Sequence, residues 1–147
     1  MELWREKIIA EAISWIGTPY HHQARVKRQG VDCGTLLIEV FNRCGLIPRV
    51  NPGNYSMEWH LHRSDEQYVD WVRQFADEID SPAPADVAIF QFGRTFSHGT
   101  IVTDWPNIIH AHRAEQQVCH GDATQNPLAG RAVKFFSWRV DPSTLRQ

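Results

Sequence analysis

Gly30-Val31-Asp32-Cys33-Gly34-Thr35-Leu36-Leu37-Ile38-Glu39-Val40-Phe41 is the stretch on which the reading of this 147-residue chain turns. A glycine-containing loop passes there into an apolar helix, and Cys33 falls at the helix start. Leu36, Leu37, Val40 and Phe41 recur at helical spacing, and Gly45 is placed to end a helix running from about Cys33 to Cys44. Free N–H groups of a first turn and the helix dipole favour a thiolate, so the position predicts a thiol pKa below the usual value of about 8.5. A cysteine used in this way needs an imidazole base distant in sequence and close in space.

Working outward, Trp4, Ile8, Ile9, Ala12, Ile13 and Ile16 give the apolar face of an amphipathic helix from Leu3 to Ile16, stopped by Gly17-Thr18-Pro19. The polar, basic run from Tyr20 to Asp32 reads as a loop delivering Cys33. A long loop is expected from Ile47 to Arg63, where Pro48, Pro52, Gly53 and Asn54 precede Trp59-His60-Leu61-His62. Ser64 and Gln67 have the spacing of a capping box for a third helix carrying Tyr68, Trp71, Val72 and Phe75. After Ser81-Pro82-Ala83-Pro84 come short β-prone runs: Val87 to Phe90, Thr100 to Val102, Asn107 to Ile109, Gln117-Val118 and Val133 to Phe136. Helices first and strands afterwards predict an α+β fold, N-terminal helices packed on a C-terminal antiparallel sheet, in one domain over residues 1–147.

Composition narrows the function classes. Apolar and charged fractions of 42% and 22% are those of a globular protein, and a formal charge of −2 gives no electrostatic reason to expect nucleic acid as a partner. No apolar run is long enough to insert in a membrane. Met1-Glu2-Leu3-Trp4-Arg5-Glu6-Lys7 lacks the pattern of a signal peptide, which predicts synthesis in a cytoplasm and three cysteines kept as free thiols.

Two of the eight histidines stand out as partners for Cys33. His98 opens one strand and His110 ends the next, so an antiparallel hairpin brings them side by side. One imidazole then takes the thiol proton and the other orients the first; His112, two residues on, shares the face of His110 and is an alternative orienter. Cys44 lies near a helix end, where the dipole opposes a thiolate, and Cys119 has no activating setting. His21-His22, His60-Leu61-His62 and Cys119-His120 contain zinc-ligand types, but no Cys-x-x-Cys or His-Glu-x-x-His spacing accompanies them. They read as polar surface, and neither metal nor other cofactor is expected.

These fragments resemble the NlpC-type cell-wall endopeptidases, papain-like cysteine peptidases of bacteria and phages. Gly17-Thr18-Pro19-Tyr20 and Asp32-Cys33 are similar to that family's Gly-Thr-x-Tyr and Asp-Cys segments. Pro84-Ala85-Asp86 is similar to its Pro-Gly-Asp strand opening, and His98 and Ile109-His110-Ala111 to its two histidine segments at their usual spacing. The chain departs where Gly34-Thr35 replaces the common Ser-Gly, where Ala85 replaces a glycine, and in a loop one residue longer between Tyr20 and Cys33. Trp59 to Arg63 and Phe92-Gly93-Arg94 look most like a phage or prophage tail-associated branch.

The resemblance implies Cys33 as nucleophile, His98 as base and His110 as orienter, the Ile-His-Ala match selecting His110 over His112. It implies Tyr20 and Asp32 in oxyanion stabilisation or substrate positioning, and stem peptides of peptidoglycan as substrate, cut at the γ-linked bond between D-glutamate and a diamino acid. Arg25, Lys27 and Arg28 read first as a solvated loop face and are also suitably charged for the substrate's carboxylates, while Trp59 suits either a cleft lining or a buried aromatic position. It further implies tail-tip proteins as partners, and a virion component acting in the periplasm or cell wall. An amidase, deamidase or acyltransferase with the same triad, or a noncatalytic tail assembly module, are the alternative readings.

Overall fold

In the computed structural model, which describes residues 1–47 and 67–140, Asp32 begins the helix that carries Cys33. Its carboxylate accepts the Thr35 N–H at 2.9 Å, and the Thr35 hydroxyl accepts the Asp32 N–H at 2.9 Å, forming a reciprocal capping box. Thr35 is therefore the residue that completes the cap. Helix α2 (Cys33–Arg43) ends where Gly45, at φ +79, lets Leu46 N–H reach the Phe41 carbonyl and Gly45 N–H the Asn42 carbonyl. This is the glycine C-cap expected from the sequence.

Helix α1 (Leu3–Ser14) is shorter than expected, and its inward stripe differs. Trp4, Ile8, Ala12 and Trp15 are buried, whereas Ile13 and Ile16 are 50% and 37% exposed. The steps of four, four and three from Trp4 to Trp15 stay on one side of a helix, and Ile13 and Ile16 fall off it. The run from Tyr20 to Asp32 is not a plain loop, because β1 (Arg25–Val26) and β2 (Gly30–Val31) pair as a small antiparallel hairpin. Helix α3 (Gln67–Arg73) buries Tyr68, Val69 and Val72. The capping role expected of Ser64 lies outside the described residues.

Among the described residues six antiparallel strands follow: β3 (Ala76–Ile79), β4 (Val87–Phe92), β5 (Thr95–Asp104), β6 (Asn107–His112), β7 (Gln117–Asp122) and β8 (Val133–Trp138). Their spatial order is β3-β8-β4-β5-β6-β7, so β3 and β7 are the sheet edges. Strand β3 escapes sequence reading because Asp77 and Glu78 break its apolar pattern, as charges on a short edge strand do. Both sheet faces are covered. Val87, Ile89, Ile101, Ile109, Ala111 and Phe136 pack with the helices, while Ala88, Phe90, Val102, Ile108 and Leu128 form a second, smaller cluster. Strand β4 accordingly starts with four successive buried residues instead of alternating.

Ala85 and Asp86 set the entry to β4. Ala85 has φ +78, the left-handed region that favours glycine, and its N–H bonds to the Val102 carbonyl at 2.7 Å. Asp86 beside it is buried and accepts from Arg5 at 2.7 Å and from the Ala83 N–H at 2.8 Å, tying α1 to the entry of β4. Among the described residues no helix is long and apolar enough to cross a membrane.

Candidate active site

The α2 cap holds Cys33 against β5. Its sulfur lies 3.8 Å from the Ser97 carbonyl, and the N–H groups of Gly99, Gly34 and Cys33 itself also bear on it. The thiol thus meets β5 on both sides of His98. Close approach here depends on Gly99, since a Cβ at that position would overlap the Tyr68 hydroxyl and crowd the Leu37 side chain.

His98 and His110 meet as the hairpin argument expects. His98 Nε2 lies 2.8 Å from His110 Nδ1, with ring centroids 5.1 Å apart. In the Ile101↔Ile109 register the two stand diagonally across β5 and β6. His98 lies mid-strand, because β5 begins at Thr95 rather than near Gly99. Phe92 packs 5.0 Å from the His98 ring, and His112 stacks 4.8 Å from the His110 ring. His110 is 2% exposed, and burial, with His112 beside it, drives its pKa down to about 3. It is a neutral imidazole at pH 7, able to accept at one nitrogen and donate at the other.

The lowered thiol pKa expected for Cys33 is overturned. Burial, and then the adjacent Asp32 carboxylate, push the thiol up to about 12; the three N–H groups act in the opposite direction without offsetting this. At rest Cys33 is a protonated thiol. Iodoacetamide alkylation of Cys33, followed by peptide mapping without substrate, should therefore still climb about tenfold per pH unit between about pH 7 and pH 9. A plateau below about pH 8 would show a preformed thiolate instead.

Tyr20 and Tyr68 both sense Cys33 and Asp32. Burial first, then those two groups, hold each phenol well above its usual range, so both stay protonated hydrogen-bond donors. Tyr20 is fixed by its N–H to the Gln116 carbonyl at 2.9 Å and by a parallel bridge to Val31. Tyr68 was legible in sequence only as one apolar position of a helix; nothing local marks it as a neighbour of the thiol. Asp32 is 1% exposed, with Oδ1 on the Thr35 amide and hydroxyl, Oδ2 on the Gln23 N–H at 2.7 Å and on His22 Nδ1 at 3.6 Å. It acts through the helix it caps and the loop it clamps.

The basic loop is placed differently from expectation. Arg25 bonds the buried Glu39 carboxylate of α2 at 3.0 Å, and Lys27 pairs with Glu11 of α1 at 2.8 Å. Both cations serve the chain's own acids; Arg28, at the left-handed turn of the hairpin, is the exposed one. Arg25→Ala should lower unfolding stability by roughly 3 kcal/mol, the low end for stripping one partner from a buried ion pair, because Arg43 remains 3.9 Å from Glu39. Denaturant unfolding would check this. A raised KM at unchanged stability would return Arg25 to the substrate. Trp59, like His60 and His62, lies outside the described residues.

The remaining cysteines fit the sequence reading as protonated thiols. Burial, with Glu11 adding, pushes Cys44 up to about 11, and burial with Glu115 raises Cys119. One feature was missed. His110, His112 and Cys119 offer ligand atoms all within 4.8 Å of one another, across the β6–β7 pair. Spacing along the sequence hides such a group, because register and not a motif brings it together.

No protein-family profile and no curated protein matches the chain. Solved structures do match. The NlpC/p60 domain of the peptidoglycan hydrolase SagA superposes with a TM-score of 0.58 at 18% identity, over 88% of this chain and 96% of that one. The peptidoglycan hydrolase RipB of Mycobacterium tuberculosis gives 0.62 at 17%, over 91% and 64%. RipD of the same organism, described as a non-catalytic NlpC/p60 domain protein adapted to peptidoglycan binding, gives 0.61 at 13%, over 95% and 99%. The described residues have the NlpC/p60 fold: helices and a six-stranded antiparallel sheet, the α+β class expected from the sequence.

Proposed function

We propose that this chain is a cysteine endopeptidase that hydrolyses peptidoglycan stem peptides at the γ-linked bond between D-glutamate and a diamino acid. The observation that carries the reading is the His98 Nε2 to His110 Nδ1 contact of 2.8 Å on β5 and β6, beside a helix-start cysteine held on that same strand. It stands on a fold shared with peptidoglycan hydrolases.

His98 Nε2–H donates to the neutral His110 Nδ1, which leaves the Nδ1 lone pair of His98 to act as base. Because the resting thiol is protonated, proton removal accompanies attack. Cys33 Sγ bonds to the scissile carbonyl carbon as its proton passes to His98. The oxyanion is met by the Cys33 N–H and a protonated Tyr20 hydroxyl. His98 then returns the proton to the leaving amine as the C–N bond breaks, and water hydrolyses the thioester by the same route in reverse.

Arg28, exposed at the hairpin turn, suits a stem-peptide carboxylate. We assign the chain to the phage or prophage tail-associated branch on Trp59 to Arg63 and Phe92-Gly93-Arg94. This reading entails tail-tip proteins as partners, cytoplasmic synthesis in bacteria and action in the periplasm or cell wall. Purified protein incubated with defined muropeptides should release one new amino terminus per cut at the γ-linked bond; intact muropeptides after prolonged incubation sink the proposal. A second reading, a peptidoglycan-binding domain without turnover, is favoured by the packing of Cys33 against β5, its sulfur 3.8 Å from the Ser97 carbonyl, a setting in which burial raises the thiol. It predicts retention on insoluble peptidoglycan with no new termini.

A further inference from the structure

We propose that His110, His112 and Cys119 form a zinc site whose occupation disables the base at His98. The regulatory half rests on the peptidase reading above; the binding half does not.

The site is assembled by register. His110 and Cys119 are direct partners across β6 and β7, and His112 lies two residues along on the same face as His110, its ring stacked on that of His110 at 12°. One ligand atom from each lies within 4.8 Å of the others. Two imidazoles and a thiol suit a borderline-soft divalent ion, bound at about 2.0–2.3 Å with ligand atoms about 3.5 Å apart. Closing from the observed spread takes a side-chain movement of about 1 Å at that geometry. His112 and Cys119 are only half-buried, and Cys119 sits on an edge strand, so both have room to make it.

Nδ1 of His110 faces His98, which leaves Nε2 for a metal. That nitrogen is open because residue 121 is glycine: a Cβ there would come within 2.8 Å of it. A cavity of about 270 Å³, lined by all three residues together with Glu115, Asp122 and Gln125, gives an ion a route in and space for a fourth ligand from solvent. His110 also has the partner that metal-bound histidines require, since its other nitrogen is hydrogen-bonded to His98.

Proton placement supplies the switch. With the site empty, His98 carries its proton on Nε2 and donates to His110 Nδ1, while His110 carries its own on Nε2. A cation on His110 Nε2 needs that lone pair, so the His110 proton moves to Nδ1 and is donated to His98. His98 must then accept at Nε2 and hold its proton on Nδ1, the atom that would take the Cys33 proton. The imidazole pair holds two protons before and after; the single proton released to solvent comes from Cys119 as it binds as thiolate.

Purified protein is titrated with Co²⁺ as a spectroscopic probe and then with Zn²⁺. A thiolate-to-cobalt absorption band should saturate at one ion per chain and be displaced by zinc. It should persist in Cys33→Ala and be lost in Cys119→Ser, which removes the site's thiolate, with zinc affinity lower there by more than about tenfold, since loss of a ligand exceeds loss of a supporting group. Muropeptide hydrolysis without metal should be equal in wild type and Cys119→Ser, and zinc should inhibit the wild type at a concentration more than about tenfold lower. Nitrogen-15 NMR of His98 reads the switch without turnover, as a change of Nδ1 from bare to protonated when zinc is added. No cobalt band, or one unchanged in Cys119→Ser and lost in Cys33→Ala, overturns the site. Metal bound with the His98 tautomer unmoved overturns the switch. Absent hydrolysis in every sample defeats the peptidase reading, while the cobalt and NMR results still decide this one.

Discussion

His98→Ala is expected to lower muropeptide turnover by about 10³-fold, within the range of 10²–10⁴ for loss of a general base. The protonated resting state of Cys33 sets this expectation. A preformed thiolate would attack without help, but a thiol whose pKa is pushed up to about 12 must lose its proton during attack. The loss should fall on kcat with KM nearly unchanged, because the substrate's remote contacts are untouched. Added imidazole should restore part of the rate. His110→Ala should cost less, since the imidazole it removes holds the base rather than moving the thiol proton, although it also leaves a hole at a buried position. A His98→Ala enzyme with more than about a tenth of wild-type turnover would remove His98 from the role of base.

The helices, most strands of the main sheet and the helix-start setting of Cys33 were legible because local chemistry dictates them. Asp32 ahead of an apolar helix, Gly45 behind it, and two histidines on successive β-prone runs each state a structural requirement within a few residues. What stayed hidden depends on distant groups. Trp15 and not Ile13 or Ile16 completes the buried stripe of α1 because α2 and the sheet select the face. Charge alone suited Arg25 and Lys27 to a solvated loop face or to a substrate carboxylate, and their partners Glu39 and Glu11 are too distant in sequence to be read beside them.

The rise of the Cys33 pKa belongs to the same category. A helix start taken alone lowers a thiol's pKa, but burial against β5 and the carboxylate of the neighbouring cap act in the other direction and are larger. Tyr68 reaches the thiol's surroundings only because Gly99 leaves space for its hydroxyl, 31 positions along the chain. The His110, His112 and Cys119 group exists only through the pairing of β6 with β7.

The largest effect is expected from Cys33→Ala. It deletes one sulfur from a half-buried position while the Asp32 and Thr35 cap, which uses no Cys33 side-chain atom, still starts α2. The fold should survive, as circular dichroism and unfolding would show, so any loss of turnover reports on chemistry. Without the nucleophile no acyl-enzyme forms, and oxyanion donors alone leave only a trace of the activity. The decisive measurement is the release of new amino termini from defined muropeptides by folded Cys33→Ala beside wild type. With Cys33 as nucleophile the variant's rate is at least about 10⁴-fold lower; release at the wild-type rate would contradict that role.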